Sequence, residues 1–304
     1  MKFLREIKKN YMLYLLLLPG LVCIVLFSYM PMSGHLLAFK KFTVDGGIFH
    51  SPWSGFQNFT FFFGSGEWKR IIGNTIYLNV LFIFFTQLLA VFLAVMINEV
   101  RNSFVKRVSQ SLVFLPYFVS WLVVSLMLQA LLNSSDGMIN QSILVPLGLK
   151  KVPFFMKPNM WPTILTICNI WKFAGYYSVI YIAAIIGVSP DLYDAARVDG
   201  ASKWKEMYYI TLPQIRPTIL IMLLLAIGRI FYGDFGMIYG IIGDNGVLFP
   251  TTDVIDTYTY RALRQFGNFG QSSAVNLVQS ALGLVTILVF NKIVRRIDPD
   301  ASLF

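Results

Sequence analysis

Charge is scarce in this chain: Asp, Glu, Lys and Arg make up 13% of its 304 residues, while 56% are hydrophobic. Soluble domains carry about 25% charged residues, and so few charges cannot cover a soluble globule of this length. The composition therefore implies a polytopic, all-α membrane protein. Cysteine is nearly absent, and both copies, Cys23 and Cys168, sit inside apolar runs. That excludes a disulfide framework and reads as two small buried hydrophobes. His35 and His50 are the only histidines, with no HExxH and no CxxC, so the usual metal signatures are missing. No G-x-x-x-x-G-K-[ST] run occurs, which excludes ATP hydrolysis by P-loop chemistry within this chain. No nucleophile–base–acid set, internal repeat or low-complexity tract is visible either.

Where charge does occur, it is positive, with a net of +10. The basic residues cluster between apolar runs, which is the pattern of membrane topology rather than of nucleic-acid binding. About 20 apolar residues cross a bilayer as a helix, and the runs predict six spans: Tyr11 to Met30, Ile71 to Ile97, Val108 to Leu132, Trp161 to Val188, Thr218 to Ile242 and Ser273 to Val294. The first follows a basic segment (Lys2, Arg5, Lys8, Lys9), but it is too long for a signal-peptide core and lacks a small-x-small cleavage site, so it reads as a permanent helix. Further Lys and Arg stand at Arg101, Lys106 and Arg107, at Arg197, Lys203, Lys205 and Arg216, and at Arg295 and Arg296. With six spans these fall on one side, and the positive-inside rule places both termini there, in the cytoplasm. The opposite loops, residues 31–70, 133–160 and 243–271, are short and rich in turn residues. A single transmembrane domain over 1–304 follows.

One polar stretch interrupts this pattern: "SPDLYDAARVDGASKWKEMYYITLPQIRP", residues 189–217. Ser189 before Pro190 is an N-cap followed by proline at the first helical position. Gly200 accepts the left-handed backbone that ends a helix. A second short helix follows, and Pro213 and Pro217 are expected to break it before the fifth span. The small residues Ala195, Ala196, Gly200 and Ala201 permit close approach, while Trp204 and Tyr208, four apart, present an aromatic face. These residues alone also fit an interfacial helix lying on lipid headgroups.

This stretch resembles the EAA loop of the permease subunits of binding-protein-dependent ABC importers. That pattern runs Glu-Ala-Ala, three residues, Gly, nine residues, then an apolar residue, Leu and Pro. Asp194, Ala195, Ala196, Gly200, Ile210, Leu212 and Pro213 stand near those places, flanked by Asp199 and Ala201. Asp194 replaces the family's Glu, keeping the charge on a shorter arm. Beyond the loop, "YMPMSGHLLAFKKF", "SPWSGFQNF", "NEVRNSFVKR", "FLPYFVSWLVV", "IWKFAGYYSVIYIAAI" and "DVIDTYTYRAL" resemble the oligo- and polysaccharide permeases of carbohydrate-uptake importers. The resemblance implies the type I importer (MetI-like) fold with a core permease region over 71–294. It also implies a coupling loop over 189–217, where Tyr193, Asp194, Ala195, Ala196, Asp199, Gly200, Ala201, Trp204, Leu212 and Pro213 serve a cytoplasmic ATPase. The implied partners are a second, non-identical permease, two ATPase subunits, an external or periplasmic solute-binding protein, a carbohydrate and membrane lipid, and no nucleic acid. ATP and Mg would be used by the ATPase, with no cofactor held by this chain.

Polar residues within spans are costly and mark functional positions. The residues themselves single out Asn169, Lys172 or Phe173, and Tyr176 in the fourth span. They also single out Arg229, Tyr232 and Asp234 in the fifth, Tyr117, Trp121 and Gln129 in the third, and Asn276 and Gln279 in the sixth. Aromatic faces beside hydrogen-bonding tips suit sugar rings. Asn276 and Gln279 read more readily as interhelical hydrogen bonds, and Lys172 as a residue snorkelling to a surface. By distance from the loop, the resemblance points to Asn169, Phe173 and Tyr176, then Arg229 and Gly233. A transporter driven by protons or sodium would want mid-membrane carboxylates, of which Asp234 alone qualifies. An intramembrane enzyme would want an acid–base or metal set.

Overall fold

The computed structural model describes residues 6, 9–64 and 66–303; Lys2, Arg5 and Lys8 of the basic segment lie outside the described residues. Among the described residues the chain is helical, with one isolated antiparallel bridge between Lys40 and Trp53 and no strand. Four helices are long and apolar enough to cross a membrane, and two bent pairs raise the number to six if each is one span. The chain divides into two units, Met1–Trp68 with Thr259–Val278, and Lys69–Tyr258 with Gln279–Phe304.

In the first unit, α1 (Tyr11–Ile24) buries no residue. Helical structure continues past the expected end at Met30, through a tighter 3₁₀ stretch to Phe39. Its terminal carbonyls have no helical partner. The Asn58 amide supplies one, donating to the carbonyls of Leu37, Ala38 and Lys40 at 3.2, 3.0 and 3.0 Å. The Phe39 ring stacks on Trp53 at 5.7 Å and holds the turn closed.

In the second unit, α2 (Trp68–Asn98) is 31 residues long, about 46 Å at 1.5 Å per residue. Ala90 and Ala94 pack against Tyr181, Ile182 and Ile185 of α5 (Trp161–Ile186). Leu78 and Phe82 join Trp161 and Leu165 in another buried cluster. Small residues on α2 let the two backbones approach. Between them run α3 (Ser103–Phe114) and α4 (Trp121–Leu132), then α5 (Trp161–Ile186).

Three sequence expectations change here. The third span is not one helix: α3 passes into a 3₁₀ turn at Leu115–Phe118, and α4 departs at 92°. Pro116 cannot continue the hydrogen-bond ladder, and the Ser120 hydroxyl starts a new helix by accepting from the Val123 N–H. Nor is Thr218 to Ile242 one helix. α6 (Pro190–Val198) and α7 (Lys203–Glu206) precede α8 (Leu212–Ile227), which ends at Gly228, and α9 (Phe235–Ile242) starts only after Asp234. Finally, Pro213 and Pro217 do not break the chain, which stays helical from Lys203 to Ile227. A widened π turn at Met207–Thr211 comes just before Pro213, relaxing the i→i−4 ladder where proline has no N–H to give. Two further helices bear on the site, α10 (Ile255–Arg264) and α11 (Phe269–Ile297).

Candidate translocation cavity and coupling loop

The polar loop folds by its local signals. The Ser189 hydroxyl accepts from the Asp191 N–H at 3.3 Å, capping α6. Gly200 has φ +74 and turns the chain between α6 and α7. Tyr193 and Thr211 join their hydroxyls at 3.1 Å across that turn. Trp204 and Tyr208 are 72% and 66% exposed, so the aromatic face read from the sequence is uncovered by this chain. Asp194, Asp199 and Pro213 are exposed, while Ala196, Ala201 and Leu212 are half-buried and Ala195 faces outward.

Beneath that face lies an ion network absent from the sequence reading. Glu206, 3% exposed, accepts from Arg197 Nε at 3.2 Å and from Lys203 Nζ at 2.8 Å. Arg197 also meets Asp194 at 3.0 Å, and Lys203 reaches Glu99, just past the end of α2, at 3.3 Å. The network tethers the loop to the α2 terminus.

A cavity of about 540 Å³ opens within the second unit. Asn79, Thr86 and Gln87 of α2 line it, with Asn169, Phe173 and Tyr177 of α5 and with Arg229, Tyr232, Gly233 and Asp234 from the break between α8 and α9. The break is secured by distant side chains. The Asn79 amide donates to the carbonyls of Ile230 and Tyr232 at 2.9 and 3.2 Å. The Gly233 N–H donates to Asp256 Oδ2 at 2.6 Å, and Gln279 Nε2 donates to the Phe231 carbonyl and to the same Asp256 oxygen at 2.7 and 3.1 Å. Burial pushes the Asp256 carboxyl above the ordinary carboxylate range, opposed by those two donors to its charged form. A side chain at Gly233 would strike Val254 at 2.7 Å, so the break needs glycine there. Asp234 N-caps α9 through the Met237 N–H at 3.0 Å and accepts from Trp121 Nε1 at 3.1 Å.

Of the residues singled out from sequence, Asn169, Phe173, Arg229, Tyr232 and Gly233 come together on this cavity; Tyr117 and Tyr176 do not line it. Their rings stack on each other at 4.4 Å beside it. The ring of the next residue, Tyr177, faces the cavity instead. Asn169 accepts from the Thr86 hydroxyl at 3.0 Å. Lys172 does not snorkel: it is buried, and Nζ donates to the carbonyls of Tyr117, at 2.9 Å, and Val119, where the third span bends. Gln279 is an interhelical hydrogen bonder, as its polarity suggests. Asn79, Thr86 and Gln87 stand in a strongly apolar run, yet their spacing of seven and eight puts them on one helix face, the one that lines the cavity.

The chain thus carries an open polar cavity between bent helices and a polar loop with an uncovered aromatic face. Residues 88–301 match the family described as binding-protein-dependent transport system inner membrane component. The chain belongs to that family. This inner membrane component is similar to two proteins of Bacillus subtilis (strain 168). One is LplB, 33% identical over 98% of this chain and 93% of LplB. The other is the polygalacturonan/rhamnogalacturonan transport system permease protein YteP, 33% identical over 98% of this chain and 91% of YteP. Among solved structures, it is similar to a chain of a bacterial ABC transporter involved in the import of the acidic polysaccharide alginate. The TM-score is 0.89 at 35% identity, over 98% of this chain and 100% of that one. The bacterial alginate ABC transporter in complex with an alginate pentasaccharide-bound periplasmic protein gives 0.88 at 34% identity, over 98% of each chain. This inner membrane component is thus an all-helical, multi-pass permease of the MetI-like fold.

Proposed function

We propose that this permease forms half of the membrane pathway of an ATP-driven importer that takes up a carbohydrate. The observation that carries the reading is the cavity, where amides and hydroxyls alternate with the rings of Phe173, Tyr177 and Tyr232. Such a lining meets both the C–H faces and the hydroxyl edges of a sugar. A second, non-identical permease would complete the pathway. A solute-binding protein would deliver the saccharide from outside the bacterial cytoplasmic membrane. Two ATPase subunits, using ATP and Mg, would dock on the 189–217 loop from the cytoplasm, where both termini also lie. ATP binding draws the loops together and opens the pathway outward; hydrolysis resets it as rigid-body alternating access. The test is uptake by the reconstituted complex, with a single cysteine at Ser202 as topological reporter. Saccharide uptake should require ATP, and the cysteine should label only after permeabilisation. Uptake driven by a proton or sodium gradient without ATP, or external labelling at Ser202, would overturn the reading.

Gly200 tests the loop. A Cβ there meets nothing within 4 Å, so Gly200→Val leaves the core intact. It places a β-branched residue on a left-handed backbone, at roughly 1–2 kcal/mol. The inserted complex should lose most of the ATP hydrolysis stimulated by loaded binding protein. Full stimulation would make Gly200 a tolerant loop position.

A further inference from the structure

The lining of the cavity includes one cation, Arg229. Arg229 lines the cavity and is exposed, and it forms no hydrogen bond or ion pair among the described residues. The neighbouring carboxylates are committed elsewhere. Asp234 uses one oxygen to cap α9 and the other to accept from Trp121. Asp256 feels the Arg229 charge but spends its Oδ2 on Gly233 and Gln279, holding the helix break. An arginine between membrane-crossing helices that has no hydrogen bond or ion pair of its own marks a substrate path. Its planar fork of donors matches a carboxylate in two parallel hydrogen bonds. The groups beside it in the cavity, Asn169, Phe173 and Tyr177, suit the remainder of a sugar ring.

Resting on the carbohydrate reading above, we propose that Arg229 receives a carboxylate of the substrate, so that the cavity selects an acidic saccharide, a uronate, over its neutral counterpart. Arg229 is then a specificity-determining residue. The other candidate counter-charge, a carboxylate from the second permease, would make it an assembly residue instead.

The experiment uses the full complex in liposomes, with trisaccharides of galacturonate and of mannuronate, each as the acid and as the methyl ester. Uptake is normalised to assembled complex and expressed as the ratio of acid to ester. The binding protein's own preference is common to wild type and variant, so it cancels when their ratios are compared. Arg229→Gln should lower the ratio about tenfold or more, the size of a lost charge-assisted hydrogen bond. Arg229→Lys, which keeps the charge without the fork, should retain part of it. An equal fall for acid and ester in both variants, or a loss of assembled complex repaired by Arg229→Lys with the ratio unchanged, would overturn the proposal. If the wild-type complex takes up a neutral saccharide but neither acid, the proposal for Arg229 falls while the carbohydrate reading stands; if it takes up no saccharide at all, the carbohydrate reading falls as well.

Discussion

Gly175→Ala is expected to remove most of the folded, assembled permease. A Cβ at Gly175 would stand 1.7 Å from the Val113 carbonyl oxygen and 2.4 Å from its carbon. The obstacle is backbone rather than the end of a flexible side chain, so α3 and α5 would have to separate. Small residues allow this close approach between membrane helices, and van der Waals contact there supplies much of the association energy. The disturbance would also travel. α3 leads straight into the bend whose carbonyls, at Tyr117 and Val119, receive the buried Lys172 ammonium. Moving α3 would strip that charge of its partners, and a buried unpaired charge is strongly destabilising. The loss should exceed the ~1–3 kcal/mol of ordinary overpacking. The check is the monodisperse fraction of coexpressed complex in detergent, with Gly73→Ala as control, since a Cβ at Gly73 meets nothing within 4 Å. A normal fraction for Gly175→Ala would mean that the α3–α5 crossing yields easily.

The residues that could be read in advance are those whose signals are local. Ser189, Pro190 and Gly200 act through the backbone within a few residues, and the cap and the left-handed turn form where they stand. The apolar runs were legible because hydropathy needs only neighbours in the sequence. It is blind, however, to the path of the backbone. Gly228 to Asp234 sits between apolar stretches, so the run looks continuous, yet the helix opens there because Asn79, Asp256 and Gln279 accept or donate the freed hydrogen bonds. Those partners come from three other elements, and no local pattern announces them. The bend after Pro116 is a different case. Pro116 and Ser120 are local signals of the kind used at Ser189, but the surrounding hydrophobicity outweighed them. On α5, Asn169 and Tyr176 are seven residues apart, two turns, and so share a face. The cavity lies a little round the helix, and it takes Tyr177 while Tyr176 turns to stack on Tyr117.

Lys203→Glu should leave the complex assembled but sharply reduce the stimulation of ATP hydrolysis by loaded binding protein. An exposed ion pair alone contributes little, about 0.2–1 kcal/mol, and the bridge from Lys203 to Glu99 is of that kind, with side chains 50% and 31% exposed. Glu206 changes the balance. It is 3% exposed and depends on Lys203 and Arg197 for both of its oxygens. Reversing Lys203 would leave carboxylates at positions 99, 194, 203 and 206 around one remaining arginine, Arg197. The loop would then relieve the repulsion by swinging away from the α2 terminus, with α6 and α7 still folded. The proposed ATPase-docking surface would remain but its tether to the membrane helices would be lost. Adding Glu99→Lys to Lys203→Glu restores one opposite-charge contact across the same gap and should recover part of the stimulation, whereas Glu99→Lys alone should not raise it. High salt offers a second discriminant. Screening at 1 M acts over about 3 Å and weakens exposed pairs, but it reaches a buried carboxylate poorly, so the Lys203→Glu defect should persist there. Full stimulation in Lys203→Glu at low salt would show that the burial of Met207 and Thr211, rather than the ion network, holds the loop in place.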